Sequence, residues 1–453
     1  MNKHVNFGSR MGAIFAAAGS AVGLGNVWRF PMEVGNNGGA AFIFVYLLCI
    51  MLVGIPIMVG EFVIGRHTQS NMIDAFRRLA PGRWWRFIGV LGVVVAFVIL
   101  CYYIVVSGWT LYYAFSSMGG RLMDVDGDYG SFFTDYVSNP WLSIISAVLF
   151  MSFVHLVISR GVRGGIEKCS KIMMPLLLLI IAILVVCAFS MPGIDQGLTF
   201  LLRPDFSKLT VSAVLSAMGQ AFYSLSLAMG CLCTYASYFS PKTRLVSSAL
   251  SVSAIDTFVA VLSGFIIFPA VYSVPGVQPD AGPGLVFQTL PYVFNSAFES
   301  VPFLGYLFSA LFYVLLFLAA LTSAISLHES VTAYVHENFN FSRPRASLLV
   351  SVSAMSIGVF CCLSFGVLSG WTVWGMNLFD LFDFVSSKIM LPVGGVLLSL
   401  FVGWYLDRSL VRSEITNEGT TSLFFSRVIL FLLRWVAPVA ILMVFVKGIA
   451  EMF

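Results

Sequence analysis

Eleven apolar runs, each long enough to cross a lipid bilayer as a helix, dominate this chain: they lie near 10–32, 38–64, 86–116, 141–159, 166–190, 211–238, 246–270, 303–335, 346–368, 376–406 and 424–448. One crossing takes about 20 apolar residues, because in lipid each backbone polar group must find its partner inside the segment. Eleven crossings take up about half of the 453 residues, which leaves short loops and no room for a separate soluble domain. The composition agrees, with 59% hydrophobic residues, 10% charged residues and a mean hydropathy of +0.93, where a soluble chain carries roughly 25% charge. A soluble enzyme is excluded, and the function must sit inside one transmembrane domain spanning 1–453. A net charge of +4, dispersed along the chain, does not point to nucleic acid.

The basic residues orient the bundle. With the N-terminus cytoplasmic, 18 of the 25 Lys and Arg residues fall at inner segments, and the other side holds only Arg121, Arg203, Lys208 and Lys447, beside acids such as Asp124 and Asp126. The positive-inside rule therefore predicts a multi-pass protein of the cytoplasmic membrane, N-terminus inside and C-terminus outside. The first apolar run carries no cleavage-site pattern and reads as a retained span. None of the eight cysteines is placed to staple an outer loop; Cys231 and Cys233 read as small buried residues rather than metal ligands.

Two spans should break. Residues 19–25 put three glycines in seven positions, followed by Asn26 and Pro31, a loss of roughly 3 kcal/mol in helix propensity relative to alanine. A broken ladder is tolerated in lipid where it lines a cavity, although a glycine-rich stretch also serves close helix contacts. Five spans later, hydroxyls and glycines interrupt the sixth run at 219–230. Paired interruptions in two five-span halves are the mark of an inverted-repeat secondary transporter with its site at the midplane, here 10–190 and 211–406 with 424–448 as an extra helix. In the eighth span Ala319, Thr322, Ser323, Ser326 and Leu327 share one face; such hydroxyls can ligate a hard cation or bond back to their own helix. Glu61, Asp256, Glu329, Asp380 and Asp383 lie within or at the ends of spans, where each charge costs at least about 2.5 kcal/mol. Arg29 follows the first glycine-rich stretch and is also intramembrane.

The run Gly-Ser-Ala-Val-Gly-Leu-Gly-Asn-Val-Trp-Arg-Phe-Pro at 19–31 resembles the first-helix signature of the neurotransmitter:sodium symporters. Gly38-Gly39-Ala40-Ala41-Phe42, Gly54-Ile55-Pro56, Gly60-Glu61, Tyr102-Tyr103, Gly219-Gln220-Ala221-Phe222, Thr234-Tyr235-Ala236-Ser237-Tyr238 and Leu321-Thr322-Ser323 extend the likeness along 7–448, and the eleven-span form is similar to the bacterial amino-acid branch.

The resemblance implies an all-α integral membrane fold, alternating access and symport with sodium. It implies one sodium site at Asn26, Ser224, Asp256 and the Ala21 carbonyl, closed by the substrate carboxylate. A second would use the carbonyls of Gly19, Val22 and Ala319 with the hydroxyls of Thr322 and Ser323. The implied substrate pocket is Ala21, Gly23, Gly25, Ile99, Tyr103, Tyr223, Ser226, Met229, Ser323 and Leu327. Monoamine transporters of the family carry an acid where this chain has Gly23, so the substrate here should bring its own carboxylate, and the apolar floor suits a neutral hydrophobic L-amino acid.

The outer gate implied is Arg29 bridged through water to Asp383, with Gln220 nearby; a fixed ion pair is the alternative. The inner gate maps only loosely, onto Lys3 or His4 and Phe7 with Glu337 and Tyr238. Gly165 and Pro175 frame an interval in the fifth span that either unwinds to admit water or is an ordinary kink. Animal members need chloride near positions matching Tyr46, Gln220 and Ser224. Asp256 replaces a neutral residue there, so transport should be independent of chloride, and the carboxylate, unpaired on the return trip, could carry a proton outward. A non-transporting amino-acid sensor of the same fold is the competing reading. A membrane enzyme is disfavoured because His4, His67, His155, His328 and His336 form no motif with acids or cysteines.

Overall fold

The computed structural model describes residues 6–123, 125, 127–274, 284–419 and 422–450; Lys3, His4, Asp124 and Asp126 lie outside the described residues. Among these, no strand occurs, only an isolated β-bridge between Val373 and Met376. Nine helices among the described residues are long and apolar enough to cross a membrane: Ala40–Thr68, Arg86–Met118, Pro140–Ser159, Val162–Ala188, Leu245–Tyr272, Pro302–Phe339, Arg343–Leu363, Leu378–Tyr405 and Leu423–Ala450. A tenth candidate is the pair Arg10–Ala21 and Gly25–Asn36, bent by 53° at its break. The run expected at 211–238 is two shorter helices, Val211–Ser224 and Cys231–Ser237.

The first break is where glycine and proline put it. Val22 leaves the helical region at φ −70°, ψ 109°, and a π-helical turn, Gly25–Arg29, restarts the chain ahead of Pro31 in the first turn of the next helix. The second break runs through 225–230, where Ser226, Ala228 and Gly230 have φ of 52°, 59° and 73°. Two non-glycine residues in the left-handed region cost of order 1 kcal/mol each or more, so tertiary contacts must hold them.

The broken segments lie at the centre. The helix Arg10–Ala21 packs against the fifth, seventh and eighth spans, while Cys231–Ser237 packs against the second. The third and eighth spans pair along much of their lengths, backed by the fourth and ninth. Close backbone approach is needed there: a Cβ on Gly108 would come within 2.8 Å of the Ala147 amide nitrogen.

Candidate functional site

Each break releases backbone groups that an intact helix would pair. At the first, Gly23 N–H donates to Asn26 Oδ1 (3.0 Å), Leu24 N–H to the Tyr103 hydroxyl (3.5 Å) and Asn26 N–H to the Gly23 carbonyl (3.1 Å). The carbonyls of residues 19, 20 and 22 thereby lose their usual i+4 donors and are left to other partners. The Ser20 carbonyl accepts from Ser226 Oγ (2.8 Å) and Ser323 Oγ (3.5 Å). The Val22 carbonyl accepts from Thr322 Oγ1 and Ser323 Oγ, both at 3.2 Å.

Thr322 Oγ1 also reaches the Ala319 carbonyl at 3.0 Å, and a Cβ on Gly19 would lie 3.3 Å from Thr322 Cβ. Four of the five groups expected in the second cation set (Val22, Ala319, Thr322, Ser323) are thus bonded to one another, with Gly19 alongside. In the other expected set, Asn26 Nδ2 donates to Asp256 Oδ1 (2.7 Å), the Asp256 carbonyl (3.0 Å) and Ser224 Oγ (3.2 Å). Ser224 Oγ lies 3.1 and 3.0 Å from the two Asp256 oxygens, and Tyr46 Oη is 3.5 Å from Oδ2. Asp256 is fully buried and has no ion-pair partner among the described residues. Both clusters offer only oxygen, hydroxyl and amide groups, with one buried negative charge, a donor set suited to a hard monovalent cation.

All ten residues expected in the substrate pocket line a single cavity of about 30 Å³, joined by Ser20, Leu24, Ser224 and Ser326. That is space for one or two waters. Space is short at both glycines: a Cβ on Gly23 would run into Ser323 Oγ unless that side chain moved, and one on Gly25 would lie a tight 3.2 Å from the Tyr223 ring.

Tyr103 and Tyr223 also line a larger cavity of about 280 Å³ on the side of Arg29, Glu33, Asp380, Asp383 and Lys388, so the two rings, with Leu24 and Gly25, stand between the cavities. Arg29 sits with its guanidinium 4.6 Å above the Tyr223 ring and its Nε 3.8 Å from Glu33. It makes no direct ion pair with Asp383, which instead accepts from Tyr102 Oη at 2.9 Å. Gln220 donates to the Gly25 carbonyl at 3.1 Å.

The opposite end holds a cluster of aromatic rings and charged groups. Phe7 packs on Tyr235, Tyr238 and Phe239 with ring centroids 5.9–6.3 Å apart. Tyr238 Oη donates to Glu329 (2.6 Å), which also pairs with Arg343, and Glu337 accepts two N–H groups of Asn71. Gly165 lies in a π-helical turn, Val162–Glu167, and Pro175 inside the helix that continues it, so this span is helical throughout.

Some contributors were not assigned from sequence. Glu61 accepts from the N–H of Ala228 (2.5 Å) and of Cys233 (3.2 Å), capping the second break. Tyr102, not only Tyr103, faces the outer cavity. Glu61 carried a visible signal, a carboxylate deep in an apolar run, but nothing in the sequence names its partners.

Comparison with known proteins gives a consistent result. The model of the sodium:neurotransmitter symporter family matches residues 4–127 and 137–453. A sodium-dependent transporter of Bacillus subtilis is 39% identical over 446 residues, 98% of each chain. The sodium- and chloride-dependent taurine transporter of Bos taurus is 25% identical over 433 residues, 84% of this chain and 68% of its own. The crystal structure of MhsT in complex with L-phenylalanine superposes with a TM-score of 0.89 at 42% identity, covering 98% of this chain and 99% of that one.

Proposed function

Because the chain belongs to the sodium:neurotransmitter symporter family, a family of transporters and not of enzymes, we propose that it carries neutral, hydrophobic L-amino acids across the cytoplasmic membrane together with sodium, by alternating access and without chloride. The observation that carries this reading is the convergence of ten pocket residues from both helix breaks and the third and eighth spans on one cavity, directly beside the Asp256 cluster. MhsT, the structural relative, holds L-phenylalanine.

In this reading two sodium ions occupy the two oxygen clusters. An ion entering between Asn26 and Asp256 would replace the Asn26 amide hydrogens as partner of the carboxylate, and the amide would turn to present Oδ1. With the Ala21 carbonyl and the substrate carboxylate as further ligands, sodium and amino acid each raise the other's affinity, and the coupling is reciprocal. The second ion would be held by carbonyls of Gly19, Val22 and Ala319 and the hydroxyls of Thr322 and Ser323, replacing hydrogen bonds that now link the first span to the eighth.

The substrate side chain would press against Ile99, Met229 and Leu327, with Met229 repacking around different shapes. Gly23 leaves no acid to hold an amine, so the substrate ammonium would meet carbonyls and Ser226. A cavity of about 30 Å³ means that Tyr103 and Tyr223 must part to admit an amino acid, with Arg29, Gln220 and Asp383 gating the outer cavity. The buried Asp256 charge stands where chloride would otherwise be needed, and two like charges in a low-dielectric site repel.

In this reading the chain crosses eleven times, N-terminus inside, with 10–190 and 211–406 as inverted repeats. The breaks support it, since they fall in the first and sixth runs. A thermal-shift panel of the twenty amino acids, with and without sodium, tests the assignment, because a ligand that binds only the folded state stabilises it by mass action. Leucine, methionine and aromatic amino acids should raise the melting temperature only with sodium present. A shift with aspartate or lysine alone would contradict the substrate class.

A further inference from the structure

We propose that Glu167 is a positioning residue that ties the start of the first span to the inner end of the fifth, so that the two part in one event and not independently. The inference rests on the alternating-access reading above.

Glu167 closes the π-helical turn Val162–Glu167. Its carboxylate accepts from Gly8 N–H (2.7 Å), Ser9 Oγ (3.0 Å) and Lys171 Nζ (2.6 Å). Ser9 is the N-cap of the helix Arg10–Ala21, where its hydroxyl accepts from Gly12 N–H at 3.0 Å. One hydroxyl therefore caps the first half-helix and binds the fifth span. Gly12 lies so close that a Cβ there would run into the Glu167 side chain. Four residues earlier in the same turn, Arg163 Nε donates to the Asn6 carbonyl at 2.6 Å.

A carboxylate at a helix N-terminus is stabilised by the unpaired N–H groups and the helix dipole. The Glu167 side chain is only 5% exposed, so losing Gly8 and Ser9 without water to replace them would leave it bonded to Lys171 alone in a poorly solvated site. Withdrawing the first half-helix thus costs least when the turn opens in the same event and water replaces the lost partners. Conversely, unwinding Val162–Glu167 redirects both Arg163 and Glu167 and releases Asn6, Gly8 and Ser9 together. Gly164 gives the turn room to move, since a Cβ added there would meet nothing within 4 Å.

The test is hydrogen exchange, read by mass spectrometry over 6–21 and 162–171 in nanodiscs, with and without sodium and leucine. Glu167→Gln keeps the shape but loses the charge and one acceptor, and should speed exchange in both segments by about tenfold or more, the factor that corresponds to losing a charge-assisted hydrogen bond. Glu167→Asp should fall between it and the wild type. Ser9→Ala alters only the first segment, yet it should speed exchange in 162–167 by a few-fold; should the Gln variant fail to fold, this variant decides. The sodium concentration for half-maximal uptake should rise in the same order, while uptake at saturating sodium keeps its amino-acid selectivity. Faster exchange confined to whichever segment carries the substitution overturns the proposal. Absence of sodium-driven uptake in the wild type would instead overturn the transport reading, and the exchange data would still decide the coupling.

Discussion

The two helix breaks solve opposite halves of the same problem. In the first span the break exposes acceptors, the carbonyls around Ser20 and Val22, and the structure meets them with side-chain hydroxyls from the sixth and eighth spans at 2.8–3.5 Å. In the sixth span it exposes donors, the N–H groups of Ala228 and Cys233, and meets them with a buried carboxylate, Glu61. Hydroxyl contacts are weak and can be exchanged for a cation; a carboxylate on two buried amides is strong and has no such substitute. In the proposed transport reading the first break is the one re-liganded by the ion and the second the one that holds its shape, so mutations at the two breaks should fail in different ways.

Glu61→Ala should have the largest effect. It strands two buried N–H groups at a segment already containing left-handed Ser226 and Ala228, a cost of roughly 2–6 kcal/mol. The thermal-melting midpoint should drop sharply whether or not sodium is present. A variant as stable as the wild type would dissolve the contrast between the breaks.

At the first break the effects should appear in function. Thr322→Ala with Ser323→Ala removes hydroxyls that bind the Ser20, Val22 and Ala319 carbonyls. Stability without sodium should change by only about 1–2 kcal/mol. The sodium needed for half-maximal uptake should rise by about tenfold or more, as expected if two oxygen ligands worth about 1.4 kcal/mol or more in total are lost. An unchanged sodium requirement would show that this break is not re-liganded by the ion.

Tyr103→Phe should have the smallest effect on folding, because its hydroxyl meets Leu24 N–H at a long 3.5 Å, worth at most about 0.5–1 kcal/mol. Its consequence should fall on amino-acid affinity, measured by competition with leucine. A loss of stability comparable to Glu61→Ala would mean that the first break too is rigidly capped.

Much of this was legible beforehand, and the parts that were not share a cause. Apolar runs locate the nine long helices among the described residues because the bilayer demands length and apolarity from each segment by itself. Glycine density placed the first break, since backbone propensity is also local. The pocket assignment came from family likeness, and the structure gathers all ten residues around one cavity. The buried carboxylates were half visible: Glu61 and Glu329 stand out as charges in apolar runs. Their partners lie 167 and 172 residues from Glu61, and 91 from Glu329 in the case of Tyr238, distances at which no periodicity operates. The sequence does not single out Glu167, because it sits among Arg163, Lys168 and Lys171, where a carboxylate looks like ordinary surface charge. Arg29 shows the reverse limit: its neighbour in sequence, Glu33, and the Tyr223 ring are its direct contacts, and Asp383 shares only its cavity.

The central claim is that sodium drives a neutral amino acid through this protein and that the Asp256 carboxylate does the work of an anion. Uptake of labelled leucine into proteoliposomes under an inward sodium gradient, in chloride and in gluconate, tests it most directly, with Asp256→Asn measured alongside. The wild type should accumulate leucine equally in both anions and not at all when potassium replaces sodium, and the variant should be slow in gluconate and partly restored by chloride. Wild-type uptake that needs chloride, or that proceeds without sodium, would contradict the account.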